Sequence, residues 1–240
     1  WFSDFSLSHN REKIKELASG QLKDEANAWF VGEPFKVFYD YKKEGIWQLG
    51  EEAAAAANGQ EPGDIKVQDV DGNGVITTDD RIIYSQRPDV TFGFNNTFNY
   101  KGFDLSVFLY ARLGQWIAYD YNTTYRINAL ENGGNVDYWT PENPTNAFPR
   151  PNKSKSYTQV TYYSTLKYED GSFFKIRDIT LGYTFKPELL KHLNLSRLRV
   201  YATAKNFFTF SKIDNYDPEQ GGSISFPMTK QLVFGLNVEF

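Results

Sequence analysis

The clearest order along the chain is a period of two. In "TFGFNNTFNYKGFDLSVFLYARLG", Phe92, Phe94, Phe98 and Tyr100 fall on one side, and Thr91, Gly93, Asn95, Thr97 and Asn99 on the other. Further on, Phe103, Leu105, Val107, Leu109, Ala111 and Leu113 oppose Asp104, Ser106, Tyr110 and Arg112. Successive side chains of a strand point to opposite faces, so this alternation predicts two strands with one apolar face each. Between them Lys101-Gly102 is a two-residue link, with Gly where a primed turn needs positive φ. Such a turn sets Tyr100 opposite Phe103 and merges the two apolar faces.

The same period recurs. Leu232, Phe234, Leu236, Val238 and Phe240 oppose Gln231, Gly235, Asn237 and Glu239. Leu198, Val200, Ala202 and Ala204 oppose Arg199, Tyr201, Thr203 and Lys205. Ile179, Leu181, Tyr183 and Phe185 oppose Asp178, Thr180, Gly182 and Thr184, and Phe5 and Leu7 oppose Asp4, Ser6 and Ser8. Antiparallel strands are predicted near 1–10, 90–100, 103–113, 173–185, 197–210 and 231–240. Two links are compact: Lys101-Gly102, and 186–196, a helical turn opened by Pro187. Three are long, polar and rich in Gly, Pro and Asn: 11–90, 114–172 and 211–230.

An all-β chain of this pattern fits two environments. A soluble β-sandwich also has strands with one apolar face. A transmembrane barrel has strands of about ten residues, polar lumen-facing rows and aromatic girdles. The strands here are that long, their polar faces carry Asn, Thr, Gly, Ser and Tyr in preference to Lys and Glu, and aromatics gather at strand ends. Alternation of short turns with long loops favours the barrel as well. Mean hydropathy of −0.55 does not oppose it, because a barrel interior is polar.

Composition narrows the function. Of 240 residues 17% are aromatic, the net charge is −4 and there is no Cys. A nucleic-acid role lacks its basic face, and disulfides and thiolate metal sites are excluded. His9 and His192 stand apart with no triad or metal spacing around them, and no Walker A or dinucleotide fingerprint occurs, so an enzyme is not expected. The opening "WFSDFSLSHN" has neither the basic start nor the apolar run of a signal peptide and begins in mid-pattern, which predicts a fragment of a longer chain.

Five stretches, in order, resemble the SusC/RagA family of TonB-dependent outer-membrane transporters of Bacteroidetes. They are "FYDYKKEGIWQ" (38–48) with "EPGDIKVQDVDGNGVITTDDR" (61–81), the hairpin above, "DYWTPENPTNAFPR" (137–150), "SFFKIRDITLGYTF" (172–185) and "LRVYATAKNFFTFSKIDNYDPE" (198–219). The ending "LVFGLNVEF" looks like the signal read by the outer-membrane assembly machinery. The resemblance implies the C-terminal section of a 22-stranded transmembrane β-barrel, supplying its last six strands, with extracellular loops 11–90, 114–172 and 211–230. It further implies the outer membrane of a Gram-negative bacterium, contact with its lipid and with the remainder of the barrel, and coupling to TonB through the absent N-terminal part. A SusD-like surface lipoprotein and an oligosaccharide or peptide substrate complete the implied partners. In the long loops Trp116, Tyr119, Tyr121, Tyr125, Tyr138 and Trp139 are aromatics able to stack on a ligand, or to form a core of the loops themselves.

Residues 69–80, "DVDGNGVITTDD", carry side-chain oxygens at the first, third, fifth, ninth and twelfth positions and Gly74 at the sixth, the spacing of a calcium loop. Asp69, Asp71, Asn73, Val75 (through its carbonyl), Thr77 and Asp80 are the expected calcium ligands, with Ile76 packing inward as an anchor. A soluble calcium-binding β-sandwich, acting in carbohydrate binding or adhesion, is the alternative this motif keeps open. A dockerin is disfavoured because it has two such loops, each followed by a helix.

Overall fold

The structure, a computed structural model, describes residues 1–128 and 133–240; residues 129–132 of the loop 114–172 lie outside the description. Six strands form one antiparallel sheet in sequence order: β1 (Phe2–Ser8), β2 (Val90–Tyr100), β3 (Phe103–Leu113), β4 (Phe173–Thr184), β5 (Arg197–Ser211) and β6 (Gln231–Glu239). Each strand pairs with the one before it, so the sheet is a plain meander with β1 and β6 at its edges. Tyr100 stands opposite Phe103, and Lys101 and Gly102 both take positive φ, which is the turn geometry that two-residue hairpins require. The other compact link is a short helix, Pro187–Leu190, opened by its proline and continued by a 3-10 turn.

Register brings the apolar residues of neighbouring strands onto one face. Leu105 lies between Phe98 and Leu181, and Val107 is level with Ile179. Across β5 and β6, Ala202 faces Phe234 and Val200 faces Leu236. At Arg177 the alternation of β4 slips. Ile176 pairs with Leu109 and Asp178 with its direct neighbour Phe108, leaving Arg177 as an extra residue. The bulge resets the phase. Phe174 and Ile176 thereby share the apolar side with Ile179 and Leu181, while Lys175 and Asp178 share the polar side. The pairing of β4 with β5 shifts at the same level, where Asn206 adopts φ +59°.

Among the described residues nothing covers the apolar face. Phe5, Leu7, Leu181, Phe208, Phe210, Leu232 and Leu236 are exposed, and Phe234 is 77% exposed. A soluble sandwich would lay a second sheet over these residues. Here the dry core sits elsewhere, among the long loops. Ile46, Ile65, Val67, Trp139 and Leu166 form a buried cluster, which draws on the first and second loops together. Ile117, Tyr119 and Ile213 form another, which joins the second loop to the third. Short paired segments such as Val37–Tyr41 with Arg81–Ser85, and Trp116–Ala118 with Tyr168–Asp170, give the loops internal order. The three loops are therefore one packed layer at one end of the sheet. Among the described residues no helix is long and apolar enough to cross a membrane.

Candidate functional site

The loop from Asp69 to Asp80 is built by its own side chains. Asp69 accepts from the N–H groups of Gly72 and Gly74 at 2.8 and 2.7 Å, and Asp71 from that of Asn73 at 3.0 Å. Asn73 accepts from Val75 N–H at 2.7 Å. Gly74 takes φ +83°, the conformation its position in a calcium loop demands. Asp80 closes the circle: its two oxygens accept from Val70 N–H at 2.8 Å and Thr77 N–H at 2.7 Å. Thr77 and Asp80 form a capping box at the 3-10 turn Thr78–Asp80.

This folding brings one carboxylate oxygen each of Asp69, Asp71 and Asp80 within 4.8 Å of one another. Asp80 is buried, and the backbone N–H of Thr77 holds its carboxyl below the ordinary aspartate value, against the opposing effect of desolvation. Asn73, Val75 and Thr77 lie on the same turn; the Asn73 amide oxygen and the Thr77 hydroxyl already accept backbone hydrogen bonds there. Ile76 packs against the loop cluster of Ile46, Ile65 and Trp139, so the apolar eighth position anchors the turn. A clamp absent from the motif is Asn58, whose side-chain oxygen accepts from Ile76 N–H at 2.9 Å. It comes from outside the twelve residues, at the C-terminal end of the helix Glu52–Ala57, and no spacing rule points to it.

The loop aromatics are divided. Tyr119, Tyr125 and Trp139 are buried as core, and Trp116 and Tyr121 are half-buried. Trp139 donates its indole N–H to Gln48 at 2.8 Å, and Tyr125 donates to the carbonyl of Pro149 at 3.0 Å. Both are thereby committed within the layer, and Tyr138 alone of the six is exposed.

The polar face of the sheet carries several cross-strand polar contacts. Thr180 and Thr203 meet at 2.9 Å, Ser106 donates to Asn95 at 3.3 Å, and Lys205 pairs with Asp178 at 3.5 Å. Toward the loop layer Lys175, fully buried, holds Asp217 at 2.5 Å and Glu219 at 2.8 Å, and Arg177 reaches Glu219 at 3.1 Å. These contacts fasten the third loop to β4.

A sheet with an uncovered apolar face, a polar hydrogen-bonded face and all its long loops in one layer is a section of β-barrel wall. Comparison with known proteins agrees. The chain is 30% identical over 277 aligned residues to TonB-dependent receptor P3 of Formosa agariphila, covering all of this chain and 27% of the relative. It is 31% identical over 272 residues to receptor P26 of the same organism, and 28% over 264 to TonB-dependent receptor SusC of Bacteroides thetaiotaomicron. Among solved structures, the RagAB peptide transporter superposes with a TM-score of 0.73 at 23% identity, over 99% of this chain and 27% of that one. The RagAB peptide importer in its open-open state gives 0.71 at 25% identity. No family model matches. Along its whole length the chain is similar to TonB-dependent receptors, SusC among them, and it spans about a quarter of the length of the relatives it matches.

Proposed function

We propose that this chain forms wall and mouth of an outer-membrane importer that takes up a glycan or peptide under TonB. The apolar face lies against lipid, the polar face lines the lumen, and the loop layer stands outside the cell. There it meets a SusD-like lipoprotein that delivers the substrate. TonB acts through parts of the receptor other than these 240 residues. The observation that carries the reading is the exposed apolar face, from Phe5 through Phe234 and Leu236, on strands whose opposite face carries polar cross-strand contacts such as Thr180–Thr203 and Arg199–Asp104. Such a face is stable in hydrocarbon and a liability in water. Purification of the complete receptor from outer membranes tests it. The expected result is a heat-modifiable barrel that needs detergent and co-purifies with a surface lipoprotein. A soluble monomer that carries no lipoprotein would overturn it.

The turn at 69–80 is read as a structural calcium site of that mouth. The donor set fits: three gathered carboxylates, further oxygens on the same turn, and a glycine at the sixth position. Asp69, Asp71, Asn73, Val75, Thr77 and Asp80 would hold the ion. When bound, calcium supplies a hard divalent charge that offsets the carboxylates. The chain's own part is to pin the turn to the layer through Ile76 and Asn58, and no reaction is assigned to it.

A further inference from the structure

A cavity of about 330 Å³ lies within the loop layer, bounded by segments of the first and second loops together with Lys212. One wall is aromatic: Tyr84 packs on Trp116 at 4.7 Å and on Tyr168 at 5.4 Å between ring centroids. Lys43 and Glu169 also line it. They are of opposite sign, yet among the described residues no ion pair joins them. Lys43 spends one donor on the carbonyl of Asn146 at 2.8 Å, and Glu169 accepts from the Asn122 amide at 2.9 Å. Both groups are desolvated: burial pushes the Glu169 carboxyl up and the Lys43 ammonium down.

Two desolvated charges that attract each other only from beyond ion-pair distance remain costly, and the cost falls when a molecule carrying both complementary charges enters between them. We propose that this cavity binds a small zwitterion of amino-acid or dipeptide size, with its ammonium toward Glu169, its carboxylate toward Lys43 and an apolar or aromatic side chain on the Tyr84–Trp116–Tyr168 wall. The volume suits this class, lying at the lower end of small-molecule sites. At the rim Lys212 and Asp170 are already paired at 3.1 Å, whereas Lys43 and Glu169 make no ion pair with each other. A neutral sugar would bring neither inner charge a counter-charge in contact, which sets the selectivity. The site deepens the importer reading, since it would sample zwitterions at the mouth, but binding needs neither TonB nor lipoprotein.

The test is calorimetry on the complete detergent-purified receptor with the dipeptide Ala-Phe, its N-acetylated, C-amidated form, and maltose. Ala-Phe should bind, and blocking both termini should weaken it about tenfold or more, as should Lys43→Met or Glu169→Gln singly. Heat-modifiability on gels confirms that each variant still forms its barrel. Equal binding of free and blocked peptide, preference for maltose, or no binding by a properly folded receptor would overturn the proposal. Failure of TonB-driven uptake with dipeptide binding intact would count against the importer reading alone.

Discussion

Arg199 on β5 reaches across β4 to Asp104 on β3, its Nε and Nη2 donating to the two carboxylate oxygens at 2.9 and 2.6 Å. The strand between them contributes Gly182 at that level, paired with Asp104 on one side and Tyr201 on the other. A Cβ on Gly182 would come within 2.5 Å of both Arg199 Nη2 and Asp104 Oδ1. The glycine is there because the ion pair passes over it. Two strands further on, Gly235 gives the same clearance to the ring of Tyr201.

Gly182→Val is therefore expected to break the pair and to lower barrel stability by about 1–3 kcal/mol through overpacking. Heat-modifiability midpoints of the complete receptor measure it. Gly182→Val in an Arg199→Met background should cost less than in the parent, because the obstructed guanidinium is gone. Equal costs in the two backgrounds would exclude the steric account.

Placement of the apolar face is tested at Phe234. Against lipid, Phe234→Arg near the midplane should cost roughly 2–4 kcal/mol and reduce assembly, while Phe234→Leu should assemble normally. On the polar side Asn237→Ser should also be tolerated. Equal yields of the Arg and Leu variants in the membrane would reverse the assignment.

Sidedness gives a separate expectation. With the loop layer outside the cell, a single cysteine at Asn143 should react with an impermeant maleimide in intact cells, and one at Lys101 in the short turn should not. Labelling at Lys101 alone would turn the barrel upside down.

If the turn at 69–80 holds calcium as proposed, chelation should increase protease cleavage within it, and Asp71→Ala should give the same pattern without a chelator. The Asp80 carboxyl lies below its ordinary value, so its contribution is present above the unfolded aspartate value, about 4, and is lost as pH falls through the folded one. Cleavage of the metal-free turn should consequently rise only in acid, below about pH 4. A cleavage pattern indifferent to chelator and to Asp71→Ala would remove calcium from the account.

The buried Lys175 offers the strongest effect on the third loop. Lys175→Met leaves Asp217 and Glu219 without their shared cation, a change that typically costs about 3–5 kcal/mol in a buried pair. Limited proteolysis should then cut within 211–230, where the parent resists.

The wall was legible in the sequence because a sheet with one apolar face writes its period into the chain. Leu105, Val107 and Phe234 show that face without help from any neighbour. The bulge at Arg177 was not legible, since an extra residue is defined only by what the adjoining strands oppose to it. The loop core was hidden for a related reason. Ile46 and Trp139 meet across more than ninety residues and no local period relates them. The spacing of Asp69, Asp71 and Asp80 announced the turn. The inward burial of Tyr119, Tyr125 and Trp139 did not show, because an aromatic in a loop reads alike whether it awaits a ligand or fills a core.

The interlocked loop layer constrains how such a receptor can diversify. Gln48 of the first loop receives the indole hydrogen bond of Trp139 in the second, and Arg150 of the second holds Glu61 of the first at 2.6 Å. The third loop enters through Ile213. A loop grafted singly from a relative would arrive without its reciprocal partners and expose theirs. Recombination between receptors of this kind should therefore succeed when the loops travel as a set and fail when they travel one at a time. For selection, the inherited unit at the barrel mouth is the whole layer.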